Sequence, residues 1–164
     1  MAEWNYALSF LGVKRFTHMP VFVSVEPANY CQLRCPECPV GLCTSNREHK
    51  VLGMEQFRHV LASVKGHVHT MQFYFQGEPL LNGDLPKMIR MAHESGLSTI
   101  VSTNGQNLTE RLAEELVKSG LSRIIVSMDG LSEESYGAYR IGGNLHRVLR
   151  GIGHLKTAKL ESGA

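Results

Sequence analysis

Apolar positions along the chain follow two alternating spacings. Short runs of β-branched and aromatic residues predict four strands, at residues 20–25, 69–75, 98–102 and 121–128. The last two runs are nearly continuous in apolar or small residues, which is typical of parallel strands covered on both faces. After each strand, apolar residues recur every three or four positions and predict helices. These helical stretches are Met54–Val64, Leu85–Ala92, Leu108–Val117 and Leu145–Leu155, with a short piece at Glu133–Tyr139.

The order of these elements is β-α-β-α-β-α-β-α. Such an order predicts an α/β fold whose parallel strands are joined by right-handed crossovers. Residues 1–19 stand apart as a short amphipathic appendage, because Trp4, Leu8 and Leu11 can share one helical face. We expect this appendage to pack over the bottom of the sheet, with a partner-binding element as the alternative. The main domain is then residues 20–164.

Length, net charge and cysteine content exclude several classes of protein. A length of 164 residues suits one domain. Lys and Arg number 17 against 15 Asp and Glu, a net charge of +2, so we expect no broad nucleic-acid-binding face. The sequence has no apolar run of about 18 residues and no basic start typical of a signal peptide, so we expect no membrane association. The 4 cysteines are too few for a disulfide scaffold, which favours a cytoplasmic location.

Unusual residues follow each predicted strand. The first strand leads into Asn29–Cys38 and the second into Gln76-Gly77-Glu78-Pro79. The third strand ends in Ser102-Thr103-Asn104-Gly105 and the fourth in Ser127-Met128-Asp129-Gly130. In parallel α/β folds, ligands bind at the carboxyl ends of the strands. The four loops are therefore predicted to converge on one rim and to form one site.

Three cysteines on the first loop point to a metal cluster. Cys31, Cys35 and Cys38 follow the spacing C-x3-C-x2-C. A tetrahedral zinc site and a fully ligated iron–sulfur cube each require four ligands, so three close thiolates suggest a cube with one open iron. An open iron can bind a substrate or cofactor directly. Cys43 could still supply a fourth ligand, and zinc, a fully ligated cluster, inert thiols or a disulfide stay open as alternatives.

The segments CQLRCPEC, QGEP, STNG and SMDG together resemble the radical S-adenosylmethionine (radical SAM) superfamily, from about residue 20 to 159. The YRIGGN stretch and the closing helix resemble the branch that carries a C-terminal SPASM domain. The resemblance implies a TIM-like (βα) barrel of six units, of which this chain has about four. We expect it to be the N-terminal portion of a longer protein; a partner or dimer that closes the barrel is the alternative.

The resemblance assigns Cys31, Cys35 and Cys38 to a [4Fe–4S] cluster. The fourth iron of that cluster would chelate the amino and carboxylate groups of S-adenosylmethionine. Gly77 and Glu78 would receive the methionine ammonium, because backbone and carboxylate oxygens accept its hydrogen bonds.

The same resemblance implies roles for the other loops. Ser102 and Asn104 would line the methionine or ribose region, and Ser127 and Arg140 would steady the carboxylate and ribose end. Glu37 fills the position before the last cysteine, where the family often has an aromatic residue near the adenine. It could contact adenine only through its backbone or carboxylate. Asp129 is expected to shape the turn.

The implied reaction is reductive cleavage of S-adenosylmethionine to a 5′-deoxyadenosyl radical that abstracts hydrogen from a substrate. In the resembled branch the substrate is often a peptide or protein, and a flavodoxin or ferredoxin would supply the electron. The alternative function is a non-catalytic zinc- or cluster-binding module, or an inactive fragment of a longer radical SAM protein.

Overall fold

A four-stranded parallel sheet organises the protein in a computed structural model, which describes residues 20–163. Its strands lie side by side in chain order. Because every neighbouring pair is parallel, the four carboxyl ends lie along one edge of the sheet. The strands are β1 (Phe22–Val25), β2 (Thr70–Phe73), β3 (Ser98–Thr103) and β4 (Arg123–Val126).

Helices connect the strands as the apolar spacing predicts. A 3-10 turn at Pro79–Leu81 precedes the second helix. The α/β prediction with four βα units is confirmed, and a four-stranded open sheet is the partial barrel that the sequence suggested. The helices are α1 (Met54–Val64), α2 (Leu85–Glu94), α3 (Glu110–Lys118), α4 (Glu133–Tyr139) and α5 (Leu145–Ser162).

The fourth strand is shorter than its apolar run. The ladder pairs residues 100–103 of β3 with 123–126 of β4, so the regular strand covers half of the predicted 121–128 stretch. Beyond it, the backbone N–H of Ser127 donates to the carbonyl of Thr103 at 2.8 Å. That last bond keeps the loop after β4 beside the loop after β3.

The apolar core lies between the sheet and the helices. Met71, Phe73 and Val101 point from the strands toward Phe57, Leu85 and their neighbours. Burial of each such side chain stabilises the folded state by about 1.5–3 kcal/mol. The core also includes Leu61, Met88, Ile89, Ala92, Ala113 and Leu116.

The opposite face of the sheet is only partly covered in the described part of the chain. Successive residues of a strand point to opposite faces, so Gln72 and Ser102 share the face away from the core. Ile125 of the edge strand β4 lies on that face and is 43% exposed. The prediction that both faces are covered is therefore wrong for residues 20–163.

The predicted appendage at residues 1–19 lies outside the described residues. Within residues 20–163, none of the helices combines the length and the apolar character needed to cross a bilayer.

Candidate active site

A cavity of about 270 Å³ opens at the carboxyl edge of the sheet. All four predicted loops contribute to its wall, together with the end of α4. Nine of the ten predicted site residues line it: Cys31, Cys35, Cys38, Gly77, Glu78, Ser102, Asn104, Ser127 and Arg140. Leu33, Gly41, Tyr74, Phe75, Gln76, Thr103 and Tyr139 complete the lining.

Glu37 is the predicted residue that does not line the cavity. It is exposed and lies in the turn between Cys35 and Cys38. The turn closes through a bond from the backbone N–H of Cys38 to the carbonyl of Cys35 at 3.2 Å. A contact between Glu37 and adenine stays a prediction.

The cysteine loop folds back tightly on itself. A Cβ at Gly41 would lie 2.6 Å from both the backbone N and O of Cys35, so only glycine fits there without a shift. The backbone N–H of Arg34 donates to the carbonyl of Ile141 at 3.0 Å and ties the loop to the chain after α4. With the loop folded in this way, Cys31, Cys35 and Cys38 all line the cavity.

Cys43 differs from the other three cysteines. It is exposed, has a positive φ of 54° and does not line the cavity. Its Sγ lies 4.0 Å from the carbonyl of Gly41. The loop therefore offers three thiols, and not four, to the cavity.

Two thiols accept hydrogen bonds inside the cavity wall. Cys31 Sγ lies 3.4 Å from the backbone N of Leu33 and 3.4 Å from Nδ2 of Asn104. Cys35 Sγ lies 3.7 Å from a guanidinium nitrogen of Arg140. Burial raises the pKa of Cys31, while the two N–H donors work in the opposite direction. A metal must therefore displace the Cys31 proton on binding.

The donor set of the cavity fits an iron–sulfur cluster. Such clusters are held by Cys thiolates, and Cys31, Cys35 and Cys38 all line this cavity. Cys43 does not line it, so the cavity offers the three thiols that a cube with one open iron needs. Among residues 20–163, no three His, Cys, Asp or Glu side chains form a group that could hold a single metal ion.

Glu78 is a buried carboxylate that joins two loops. It is 3% exposed. Its Oε1 accepts hydrogen bonds from the backbone N–H of Leu80 at 3.0 Å and the hydroxyl of Thr103 at 2.6 Å, and its Oε2 accepts one from the backbone N–H of Asn104 at 2.8 Å. Burial raises the pKa of Glu78, and these donors and Arg140 partly offset the effect. A carboxylate has about four acceptor positions. Three donors occupy Glu78, so its Oε2 keeps room for the predicted ammonium contact.

Gly77 packs directly against the first loop. A Cβ there would lie 1.9 Å from the carbonyl oxygen of Ala28, so the close approach requires glycine. The carboxylate of Glu26 accepts the backbone N–H groups of Gln76 and Gly77, each at 3.1 Å, and pairs with Arg47. Sequence reasoning missed Glu26, although its position directly after β1 is the signal that identified the other rim residues.

The end of β3 and the loop after it line the cavity, and one polar side chain there lies against sulfur. Ser102 is half-buried in the cavity wall. The side-chain amide of Asn104 lies against Cys31 and accepts a bond from the backbone N–H of Gln106 at 2.9 Å. The assigned methionine or ribose contacts of Ser102 and Asn104 stay predictions. Thr103, not singled out from the sequence, supplies the hydroxyl that binds Glu78.

Arg140 lies between an acid, an aromatic ring and a thiol. Its Nε donates to Asp129, and its guanidinium lies 5.5 Å from the ring centroid of Tyr139. Asp129 therefore orients the arginine, a role that its interpretation as a turn residue missed. The guanidinium keeps donors directed toward the cavity, where an anionic group can be bound.

The chain matches the family model of the radical SAM superfamily over residues 25–163. It therefore belongs to that superfamily, whose enzymes bind a [4Fe–4S] cluster and S-adenosylmethionine. It is 30% identical over 143 residues to AdoMet-dependent heme synthase of Methanosarcina barkeri, covering 87% of this chain and 41% of the relative. It is 29% identical over 134 residues to GTP 3′,8-cyclase of Clostridium botulinum, covering 80% of this chain and 42% of the relative.

Solved structures share the fold. AdoMet-bound anSMEcpe superimposes with a TM-score of 0.72 at 20% identity, covering 85% of this chain and 42% of that one. Streptococcus suis SuiB bound to its precursor peptide SuiA gives a TM-score of 0.70 at 19% identity, covering 96% of this chain and 35% of that one. The chain spans about two fifths of the length of the curated relatives described above.

Proposed function

We propose that this chain is the part of a radical SAM enzyme that binds the cluster and S-adenosylmethionine and generates a radical. The observation that carries the proposal is the single cavity where three thiols meet Glu78, Asn104 and Arg140 from separate loops. When bound, the cluster would supply one electron for the reductive cleavage of S-adenosylmethionine to methionine and a 5′-deoxyadenosyl radical, which would abstract hydrogen from a substrate.

In this proposal Cys31, Cys35 and Cys38 hold three irons of the cluster. Arg34 and Gly41 support that role, because their backbone contacts fix the loop that carries the thiols. Cys43 takes no part, which leaves one iron without a protein ligand. That open position suits a cofactor that itself supplies nitrogen and oxygen ligands.

The polar ends of S-adenosylmethionine find matching groups in the cavity. Arg140 and Ser127 bind its carboxylate and ribose end, supported by the Asp129 contact that orients the guanidinium. The rim of Gly77 and Glu78 accepts its ammonium, with Glu26 holding that rim in place. Ser102, which lines the cavity, would lie beside the methionine or ribose.

The substrate class that we propose is a peptide or protein side chain. Similarity to SuiB, solved with a precursor peptide, supports this class, as does anSMEcpe, solved with AdoMet and the Cp18Cys peptide. Phe75 is 69% exposed at the mouth of the cavity and provides an apolar surface for such a substrate. A flavodoxin or ferredoxin as electron donor, membership of the SPASM branch and a cytoplasmic location belong to the same proposal.

Anaerobic reconstitution with iron and sulfide tests the proposal. We expect a brown chain with about four irons that, with dithionite, converts S-adenosylmethionine to 5′-deoxyadenosine and methionine. Uptake of one zinc ion without iron would instead support a non-catalytic metal-binding module. A chain that assembles the cluster but forms no 5′-deoxyadenosine would be one that binds the cluster without cleaving S-adenosylmethionine.

A further inference from the structure

Asn104 makes a contact with a ligand sulfur that the proposed function leaves unused. Its Nδ2 lies 3.4 Å from Sγ of Cys31, and the residue is 4% exposed. The backbone N of Leu33 lies at the same distance from that sulfur. Cys31 is therefore held between one backbone donor and one side-chain donor.

The backbone fixes the orientation of the Asn104 amide. The backbone N–H of Gln106 lies 2.9 Å from Oδ1 of Asn104, and such a group can only donate. The atom facing Gln106 must therefore be the oxygen, so the nitrogen faces Cys31. The side chain of Gln32 donates to the same oxygen at 3.3 Å. Turning the Asn104 amide over would leave the backbone N–H of Gln106 without an acceptor.

We infer that Asn104 is a positioning residue that raises the reduction potential of the cluster held by Cys31. This inference rests on the proposed function. When the cluster accepts one electron from a low-potential donor, negative charge on its ligand sulfurs increases, and an N–H donor stabilises that charge. Hydrogen bonds to the sulfurs are among the features that set iron–sulfur potentials.

Burial strengthens this effect. A hydrogen bond acts more strongly in the low-dielectric interior than in water, and Asn104 is among the most buried polar residues of the rim. Because Oδ1 is bound on its other side, the amide is held in place before the electron arrives. The donor thus favours the reduced state without a rearrangement of the loop.

A potentiometric titration of the reconstituted chain, without S-adenosylmethionine, tests the inference. Asn104→Leu removes the donor at nearly constant volume. At a fixed potential we expect its ratio of reduced to oxidised cluster to fall about tenfold, which corresponds to about 59 mV for a one-electron couple. An unchanged potential at normal iron content would overturn the inference.

A second pair of variants decides the question if Asn104→Leu does not retain iron. Asn104→Ser keeps a side-chain acceptor for the backbone N–H of Gln106, adds no charge, and withdraws the donor from Cys31 because its side chain is shorter. Asn107→Ser makes the same change in the same loop at a residue that does not line the cavity. We expect a clearly lower potential for Asn104→Ser than for Asn107→Ser, and equal potentials would overturn the inference. A wild-type chain that takes up no cluster would overturn the proposed function and this inference together.

Discussion

Strand β3 carries a buried threonine near each end, and the two serve different purposes. Thr99 and Thr103 lie on the same face of the strand, and both are almost fully buried. At the amino end, the Thr99 hydroxyl donates to the carbonyl of Gly120 at 3.3 Å and accepts from the backbone N–H of Ser122 at 3.0 Å. At the carboxyl end, the Thr103 hydroxyl donates to Glu78 and accepts from the backbone N–H of Gly105 at 3.0 Å.

The hydrogen bonds of Thr99 serve the fold, whereas those of Thr103 serve the candidate active site. Around Thr99 the bonds satisfy backbone groups of a tight connection. Around Thr103 they support a buried carboxylate at the wall of a cavity that also contains three thiols. Burying a carboxylate costs free energy unless several donors compensate, so stability alone does not require it. The carboxyl end of the sheet therefore contains the chemistry, and the following predictions test that contrast.

The largest expected effect is the loss of the cluster on substitution of a cysteine in the first loop. Cys35→Ala removes a ligand at the cavity wall, and we expect it to abolish cluster assembly, measured as iron and sulfide content after reconstitution. Cys43→Ala is the matched control and should retain the full content of about four irons, because Cys43 lies outside the cavity. Loss of iron in Cys43→Ala would show that the cluster uses four protein thiolates.

Glu78→Ala is expected to have the next largest effect, a loss of stability of the folded chain. It leaves the donors from Leu80, Thr103 and Asn104 without their acceptor in a buried setting. We expect a loss of about 3 kcal/mol or more in the free energy of unfolding of the cluster-free chain, measured by urea denaturation. Glu37→Ala is the exposed control and should change stability by less than about 0.5 kcal/mol. Equal stability of the two variants would mean that Glu78 does not organise the rim.

Gly77→Ala tests how tightly the rim is packed. The added Cβ would overlap the carbonyl oxygen of Ala28, so we expect a loss of about 1–3 kcal/mol in unfolding free energy. Gly137→Ala is the contrasting substitution, since its Cβ has open space in helix α4. It should stabilise the chain by about 0.4–1 kcal/mol. A neutral Gly77→Ala would show that the two loops are not in contact.

Substitution of Thr99 and of Thr103 should have the smallest effects on stability. These two substitutions compare the amino and carboxyl ends of β3 directly. Thr99→Val and Thr103→Val each lose one hydroxyl that both donates and accepts, so each should cost about 1–2 kcal/mol in unfolding free energy. Only Thr103→Val should also weaken binding of S-adenosylmethionine to the reconstituted chain, measured by equilibrium dialysis. Weaker binding in Thr99→Val to the same degree would remove the distinction between the two ends.

The sequence predicts the fold and most of the cavity wall. Strand and helix periodicity establishes the βα order, and the rule that parallel strands share a carboxyl edge brings together residues as distant as Cys31 and Ser127. Arg140, which follows a helix, was predicted only through the family resemblance. Glu37 was predicted as a site residue from its position in the cysteine motif, and not from the arrangement of the strands. Its place in an exposed turn depends on how the loop closes, which spacing does not specify.

Side-chain partners could not be predicted in the same way. The contacts of Glu26 with the Gln76–Gly77 backbone and of Asn104 with Cys31 join residues that are far apart in sequence. The contact of Asp129 with Arg140 links the loop after β4 to the end of α4. Their pairing depends on rotamers and loop paths that arise only when the four loops meet. The open face of the sheet was missed for a related reason, since apolar runs such as Ile124–Ile125 do not say which partner covers them.

The central claim is that three thiolates leave one iron free for S-adenosylmethionine. The most direct test is the electron paramagnetic resonance spectrum of the reduced cluster, recorded before and after S-adenosylmethionine is added, in the wild-type chain and in Cys43→Ala. We predict that the cofactor changes the spectrum equally in both proteins. A spectrum that the cofactor leaves unchanged in the wild-type chain would contradict the claim.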